Sequence, residues 1–276
     1  MPLKGEILDT LRVAPGEPAK LSGRETSDTL GLVGKTETKE WLAEHGTELA
    51  TLQSRLWAER TRSVLVVLQG MDGAGKDGTI KHVISGLNPS AVKIAAFSAP
   101  STLELSHDFL WRIHAACPPR GQIGVFNRSH YEDIVTAPVE ELVDERTAKK
   151  RNAHINNFEQ MLVDEGTSIL KVFLHISQDE QAERLRSRIL DPEKSWKFDR
   201  SDFEARSRWD AYAAAYEQAL TATSTPHAPW HVVPADRKWV RNAAVAGLLH
   251  RELVRLDPQT PPPRPELAQL QSILGI

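Results

Sequence analysis

Apolar positions along the chain follow two alternating rhythms. Val64 to Leu68 is an unbroken apolar run dominated by valine. Continuity, in place of alternation, marks a strand covered on both faces, as in a parallel sheet between helices. Similar runs recur at 92–97, 122–126, 168–176 and 230–233. Between and after them the period lengthens to that of a helix, roughly over 79–87, 103–117, 145–165, 179–190, 206–222 and 240–256. Ahead of the first strand, Leu42, Leu49, Leu52 and Leu56 recur at spacings of seven, three and four, one stripe of a helix over about 36–62. Its early Glu40 and Glu44 and late Arg60 and Arg62 suit the helix dipole. Five strands alternating with helices predict an α/β fold, a three-layer αβα sandwich with a parallel five-stranded sheet and right-handed crossovers.

Three stretches stand outside this alternation. Residues 1–35 hold Gly5, Pro15, Gly16, Pro18 and Gly23 with no sustained period, and read as an irregular arm over the core. Residues 258–276 form a tail in which Pro261, Pro262 and Pro263 favour an extended surface segment. The domain proper is then 36–257. Inside it, residues 191–204 (DPEKSWKFDRSDFE) interleave aromatic and charged side chains without an apolar period. Loops this long are usually functional, so a lid is expected over about 184–208.

Composition narrows the function classes. With 276 residues, 40% hydrophobic and 26% charged, the chain has the balance of an ordinary globular protein. A single cysteine, Cys117, excludes a disulfide scaffold. No apolar run approaches the ~20 residues of a bilayer span, and the first residues lack a signal-peptide core, so a cytoplasmic protein without a membrane partner is expected. The net charge of −3 argues against a nucleic-acid partner. Charge is unevenly spread, however: residues 184–208 carry eight basic side chains against five acidic ones.

The chemistry concentrates behind the first strand. From Gly70 the chain reads GMDGAGKDGT, which fits Gly-x-x-x-x-Gly-Lys with Gly70, Gly75 and Lys76 in place and a helix opening behind. Glycines let the backbone curl so that successive N–H groups face phosphate oxygens, and the helix adds its positive N-terminal end. Gly70, Gly73, Ala74, Gly75, Lys76, Asp77 and Gly78 are thus the expected phosphate-binding loop, with Lys76 as a mobile point charge. Two positions depart from the common pattern. Asp77 stands where a Ser or Thr hydroxyl would meet Mg²⁺, and Asp72 places a carboxylate inside an anion-binding loop. Asp72 makes physical sense as a Mg²⁺ ligand bridging to the polyanion, or else as a cap on its own turn.

The strand at 122–126 leads into Asn127-Arg128-Ser129-His130-Tyr131-Glu132-Asp133. Strand ends beside such a loop form the crevice where open α/β sheets bind ligands. An Asp often stands at this strand end to steady Mg²⁺, whereas Asn127 is neutral. Glu132 and Asp133 are placed to restore the missing charge, with helix capping as the other reading. Asp72 and Asp133 are the candidate metal pair. Arg128 offers a fork to phosphate. Asn127, Arg128, Tyr131 and Glu132 form the candidate nucleotide-binding set, although Tyr131 and His130 read first as packing and hydrogen-bonding residues. Further on, Arg184 and Arg188 are four apart on one helical face leading into the lid, suited to clamping a transferring phosphoryl group. Lys81, Lys194 and Lys197 extend the basic track. Trp196 and Phe198 either stack on a base or anchor the loop.

In these motifs the sequence resembles the polyphosphate kinase 2 family. The resemblance is carried by LQGMDGAGKDGTIKHV from Leu68, GVFNRSHYEDI from Gly124, DPEKSWKFDRSDFEARSRWDAYAAAYEQAL from Asp191 and APWHVVPADRKWVRN from Ala228, and it covers roughly 32–254. It implies a P-loop kinase-like domain with a helical lid, in dimers or tetramers. It also implies Mg²⁺-dependent exchange of phosphoryl groups between inorganic polyphosphate and nucleotides. Asp72 and Lys76 match the family's loop aspartate and lysine, Arg128 the arginine after the second strand, and Arg184 and Arg188 its lid arginines. Asn127 to Glu132 resembles the branch that accepts both AMP and ADP, often called class III, while Gly73 replaces an expected Ala. The implied reaction is in-line transfer from polyphosphate to AMP or ADP, forming ADP or ATP, without a covalent enzyme intermediate. Asn127 and Asp77 leave two other readings open: an ATP-dependent nucleoside or nucleotide kinase, and a phosphate-binding module that does no chemistry.

Overall fold

The unbroken apolar runs become strands, and their continuity is explained by where they lie. In the structure, a computed structural model that describes residues 3, 5–193, 205–264, 266 and 273, these are β1 (Ser63–Gln69), β2 (Val92–Ala96), β3 (Ile123–Asn127), β4 (Thr167–His175) and β5 (Trp230–Pro234). They form one parallel sheet in the order β2-β3-β1-β4-β5. Central β1 sets Val66 against Val125 on one side and Leu170 on the other, and every one of its residues is buried. Edge strand β2, by contrast, leaves Ile94 54% exposed.

Helices among the described residues are α1 (Gly5–Thr10), α2 (Lys35–Glu59), α3 (Lys76–Ile84), α4 (Thr102–Leu105), α5 (Trp111–Ala116), α6 (Thr136–Val139), α7 (Glu145–Asp164), α8 (Gln178–Leu190), α9 (Trp209–Thr223) and α10 (Lys238–Leu256). α10 packs against α2, α3, β4 and β5, while α7 packs on β4 and carries α9. The expected α/β sandwich is thus the fold observed. None of the described helices is long and apolar enough to cross a membrane.

Three local expectations change. The single helix over 103–117 is split into α4 and α5, because the Asp108 carboxylate accepts the Leu110 N–H (3.0 Å) and Ser106 bonds back to Leu103 O (2.7 Å). Short polar side chains compete with the helical ladder in this way. In α2, Trp41 is buried in place of the neighbouring Leu42. The arm is more ordered than its composition suggests. Leu8, Leu11, Val13, Leu21 and Leu30 are buried. The Val13 N–H donates to Trp230 O and Leu11 O accepts from Val232 N, both at 2.8 Å, as an antiparallel bridge along β5. That contact occupies an open sheet edge that would otherwise invite pairing with another chain. Of the expected lid, only its two flanks lie within the described residues; Lys194, Trp196, Lys197 and Phe198 lie outside them.

A buried ion pair ties β4 to α7 and α9. Lys171 has 0% exposure, and its Nζ donates to Glu159 Oε2 (2.6 Å), Thr223 O (2.6 Å) and the Tyr131 hydroxyl (2.9 Å). All three ammonium protons are thereby placed. Tyr131 in turn donates to Glu159 Oε1 at 2.7 Å. Burial opposes the Glu159 charge, but the Lys171 ammonium overrides it and holds the carboxyl below its usual range. Glu159→Gln should lower stability by about 3–5 kcal/mol, since it leaves the Lys171 charge buried and unpaired. Adding Lys171→Met should recover most of that loss. Urea unfolding of the single and double variants measures both effects, and a double variant no more stable than the single one would contradict this account.

Candidate active site

The order of strands reverses its progression at β1, so the C-terminal ends of β1, β3 and β4 border a crevice at the switch point. The loop from Gly70 to Gly75 fills its mouth. Gly70 has φ 152°, and a Cβ there would lie 2.8 Å from Leu174 O, so the turn out of β1 requires glycine. α3 then opens at Lys76, earlier than the apolar period suggests, with its N-terminus behind the loop.

Three charged side chains meet here. Lys76, 8% exposed, donates to Gly70 O (2.7 Å) and lies 3.7 Å from Asp72 Oδ1. Arg128 follows β3 with φ 62°, a left-handed conformation that costs a non-glycine residue roughly 1–3 kcal/mol. Its N–H bonds Leu68 O (3.1 Å), and its Nη2 donates to Asp72 Oδ1 at 2.5 Å. Ser129 Oγ, bonded by Gln69 Nε2 (3.1 Å) and the Tyr131 N–H (3.2 Å), steadies the same turn. Burial works against the Asp72 charge, but Lys76 and Arg128 prevail and bring its carboxyl below the usual range. Burial likewise pulls Lys76 below its ordinary value, with Asp72 opposing. For Arg128, Asp72 and Glu132 outweigh burial and keep the guanidinium firmly protonated.

Asp77, one departure from the common phosphate-loop pattern, is the partner of Asn127, the neutral residue at the end of β3. Asn127 Nδ2 donates to Asp77 Oδ1 at 2.6 Å. A carboxylate at the start of α3 thus meets an amide at the end of β3.

A cleft of about 640 Å³ opens over the loop and is lined by Gly73, Gly75 and Gly78 together with six cations, Lys76, Arg128, Arg184, Arg188, Lys238 and Arg241. Four carboxylates face them: Asp72, Asp77, Glu180 and Glu183. Asp72 and Arg128 also border a smaller hollow of about 200 Å³ lined by Gly70, Met71, Glu132, Trp209, Tyr212 and Tyr216. One half of the site is therefore cation-rich and the other is walled by aromatic rings.

Not every expected residue arrives there as expected. Tyr131, placed in the candidate nucleotide-binding set, is instead 1% exposed and belongs to the Lys171–Glu159 network, the packing and hydrogen-bonding role its sequence position also suggested, because the turn after β3 points its ring into the core. Asp133 lines neither half of the cleft; its carboxylate accepts from Arg151 at 3.1 Å. Burial raises its pKa, with Arg151 opposing. Ala74 is fully buried and spends its N–H on Met71 O (3.0 Å), so that amide is not offered to phosphate. Lys81 is exposed outside the cleft lining. Lys194 and Lys197 fall outside the described residues. Arg184 does reach the loop, but all five of its N–H donors are taken: by Glu180 Oε1 (2.8 Å), Gly73 O (3.0 Å), Ala74 O (2.9 Å), Ala235 O (2.6 Å) and Asp236 O (2.9 Å). It holds the loop from outside instead of presenting a free fork. Sequence reasoning missed Lys238, Arg241 and the aromatic wall; the first two follow β5, where strand ends meet the crevice, and that rule was the available signal.

Among the described residues, no group of three or more His, Cys, Asp or Glu could hold a metal ion alone. Mg²⁺ typically takes one or two carboxylates and completes its shell with substrate phosphates and water. Asp72 and Asp77, both on the cleft beside the loop, fit that mode, and Asp133 does not.

Residues 33–260 match the family model described as Polyphosphate kinase 2. The chain belongs to the polyphosphate kinase 2 family. It is 48% identical to a Meiothermus ruber protein named AMP/ADP-polyphosphate phosphotransferase, with 91% of this chain and 95% of that one aligned. It is 40% identical to the ADP-polyphosphate phosphotransferase of Rhodopseudomonas palustris, over 95% and 96% of the two chains. A polyphosphate kinase 2 crystal structure from Arthrobacter aurescens TC1 superposes with a TM-score of 0.93 at 42% identity, covering 97% of this chain and 96% of that one.

In this polyphosphate kinase 2 member, the depressed Asp72 pKa has a defined sign. The carboxylate contributes stability above its unfolded value of about 3.9, and the contribution is lost as pH falls through the folded value. Asp72→Asn should therefore be less stable than wild type at pH 7, with the gap closing below about pH 4. Thermal unfolding from pH 7 to pH 3 measures it; a constant gap would remove Asp72 from the charge balance.

Proposed function

We propose that this chain transfers the terminal phosphoryl group of inorganic polyphosphate to AMP or ADP, forming ADP or ATP. The observation that carries this reading is the Asp72–Lys76–Arg128 cluster at the junction of a cation-rich cleft and an aromatic hollow. A phosphate chain has no apolar face and needs only cations and N–H donors, much as phosphate contacts dominate non-specific nucleic-acid binding. A nucleotide base needs flat apolar walls. In this reading the chain lies along the larger half, and the acceptor's base sits against Trp209, Tyr212 and Met71. The names of the relatives support polyphosphate as donor and adenine nucleotides as acceptors.

The transfer is an in-line displacement. A terminal phosphate oxygen of the nucleotide, already ionised, attacks the end phosphorus of the chain. The bond from that phosphorus to the bridging oxygen breaks, and the shortened chain keeps the electron pair. No proton needs to move, so the site requires no general base. Lys76 and Arg128, both held near Asp72 Oδ1, neutralise the equatorial oxygens as charge spreads over them, and Arg188 lines the same cleft. Asp72 orients both cations. Asp72 and Asp77 would hold Mg²⁺, which would supply further positive charge to the transferring phosphates.

Incubating the protein with Mg²⁺ and polyphosphate, and with AMP and ADP in separate reactions, should yield ADP and ATP by product chromatography. Transfer from ATP to AMP with none from polyphosphate would instead identify an ATP-dependent kinase, and no product at all a binding module. Lys76→Ala should reduce turnover about 10²-fold or more, the loss expected on removing one preorganised donor to a developing charge. Near-normal turnover in a folded variant would exclude Lys76 from the reaction.

A further inference from the structure

Arg241 of α10 is buried against the phosphate loop, and its charge has no counter-ion among the described residues. It is 2% exposed. Its Nη1 donates to Ala74 O (3.1 Å), while Nε and Nη2 both donate to Asn242 Oδ1 (3.1 and 2.9 Å). These acceptors are neutral. Among the described residues no carboxylate pairs with it, and the neighbouring charge is the like charge of Arg184. Burial, followed by that repulsion, pulls its pKa down to about 10. Arg184 differs on every count, with Glu180 as counter-ion and all five donors satisfied. Arg241 uses three of five donors, and it lines the cleft.

Isolated buried cations are costly and are normally paired. The loop is shaped to accept this one. A Cβ at Gly75 would lie 1.9 Å from Arg241 Nη1, and one at Gly78 would lie 3.2 Å from Nη2. Glycine at both positions leaves bare backbone where the guanidinium packs. We infer that Arg241 is a phosphate-binding residue whose missing counter-ion is the polyphosphate chain seated across Gly75 and Gly78. The inference rests on the proposed placement of that chain along the cleft. It gives α10 a direct part in ligand affinity: the empty protein carries an uncompensated charge that the ligand neutralises.

The test supplies the missing anion from the protein. Asn242→Asp places a carboxylate where an amide oxygen already accepts Nε and Nη2, with almost no change in shape. The melting temperature of the ligand-free variant should rise by a few degrees, and its calorimetric Kd for tripolyphosphate with Mg²⁺ should weaken at least fivefold. Arg241→Met removes the charge while keeping apolar bulk, and should weaken tripolyphosphate binding roughly 10- to 100-fold with little change in the ligand-free melting temperature. If the methionine variant does not fold, the isosteric aspartate variant decides alone. Tripolyphosphate bound as tightly by the variants as by wild type, whatever their melting temperatures, would reduce Arg241 to a packing role. Wild type that fails to bind tripolyphosphate at all would overturn the functional reading along with this inference.

Discussion

Asp72 accepts a hydrogen bond from Arg128 at 2.5 Å and faces Lys76 at 3.7 Å, so one carboxylate spaces two cations at the mouth of the sheet. Without it, the Lys76 ammonium at the start of α3 and the Arg128 guanidinium after β3 would repel each other in a partly buried crevice. With it, both are held at the rim, aimed at the place where phosphates would sit. The remaining features of the site serve this balance. Arg128 keeps its left-handed backbone because Leu68 O anchors its N–H and Ser129 anchors the next turn. The loop keeps its curl because Arg184 ties its outward carbonyls to the segment after β5.

Phosphate chemistry on an acidic protein becomes possible through topology. The net charge is −3, yet six cations line one cleft against four carboxylates. They come from α3, the end of β3, α8 and α10, which a parallel sheet brings together because it opens all its strand ends on one side. Two buried cations show how differently the fold uses the same burial. Lys171 has three acceptors, one of them a carboxylate, and serves to join β4 to α7 and α9. Arg241 has only neutral acceptors and a place on the cleft. Pairing separates a structural charge from one reserved for a ligand.

The phosphate loop was readable because its information is local: Gly70, Gly75 and Lys76 are spaced by the geometry of one turn, and a buried strand precedes them. Asp77 and Asn127 were readable as anomalies, but fifty residues separate them in the chain, and only the β1–β3 pairing shows that each accounts for the other. Tyr131 and Asp133 illustrate the opposite failure. Four consecutive polar or aromatic residues after β3 look alike in a sequence, yet the short turn His130–Asp133 sends Tyr131 inward to Glu159 and Asp133 sideways to Arg151, leaving Glu132 on the cleft. Arg184 was expected as a phosphoryl clamp leading into the lid, but its reach to the loop and the direction of its donors were not legible from helical spacing.

By itself the chain determined what depends on near neighbours: five strands from apolar runs of short range, helices from their period, the curl of a glycine-rich turn, and the family to which those motifs belong. The tertiary structure alone decided which charges meet. A side chain's partner is set by the register and layering of elements tens or hundreds of residues apart, and electrostatic energy depends on that separation in space and on the water excluded from it. Arg241 is the clearest case, an unremarkable arginine in its own helix whose burial, with no carboxylate partner among the described residues, exists only because α10 packs beneath a loop some 170 residues earlier.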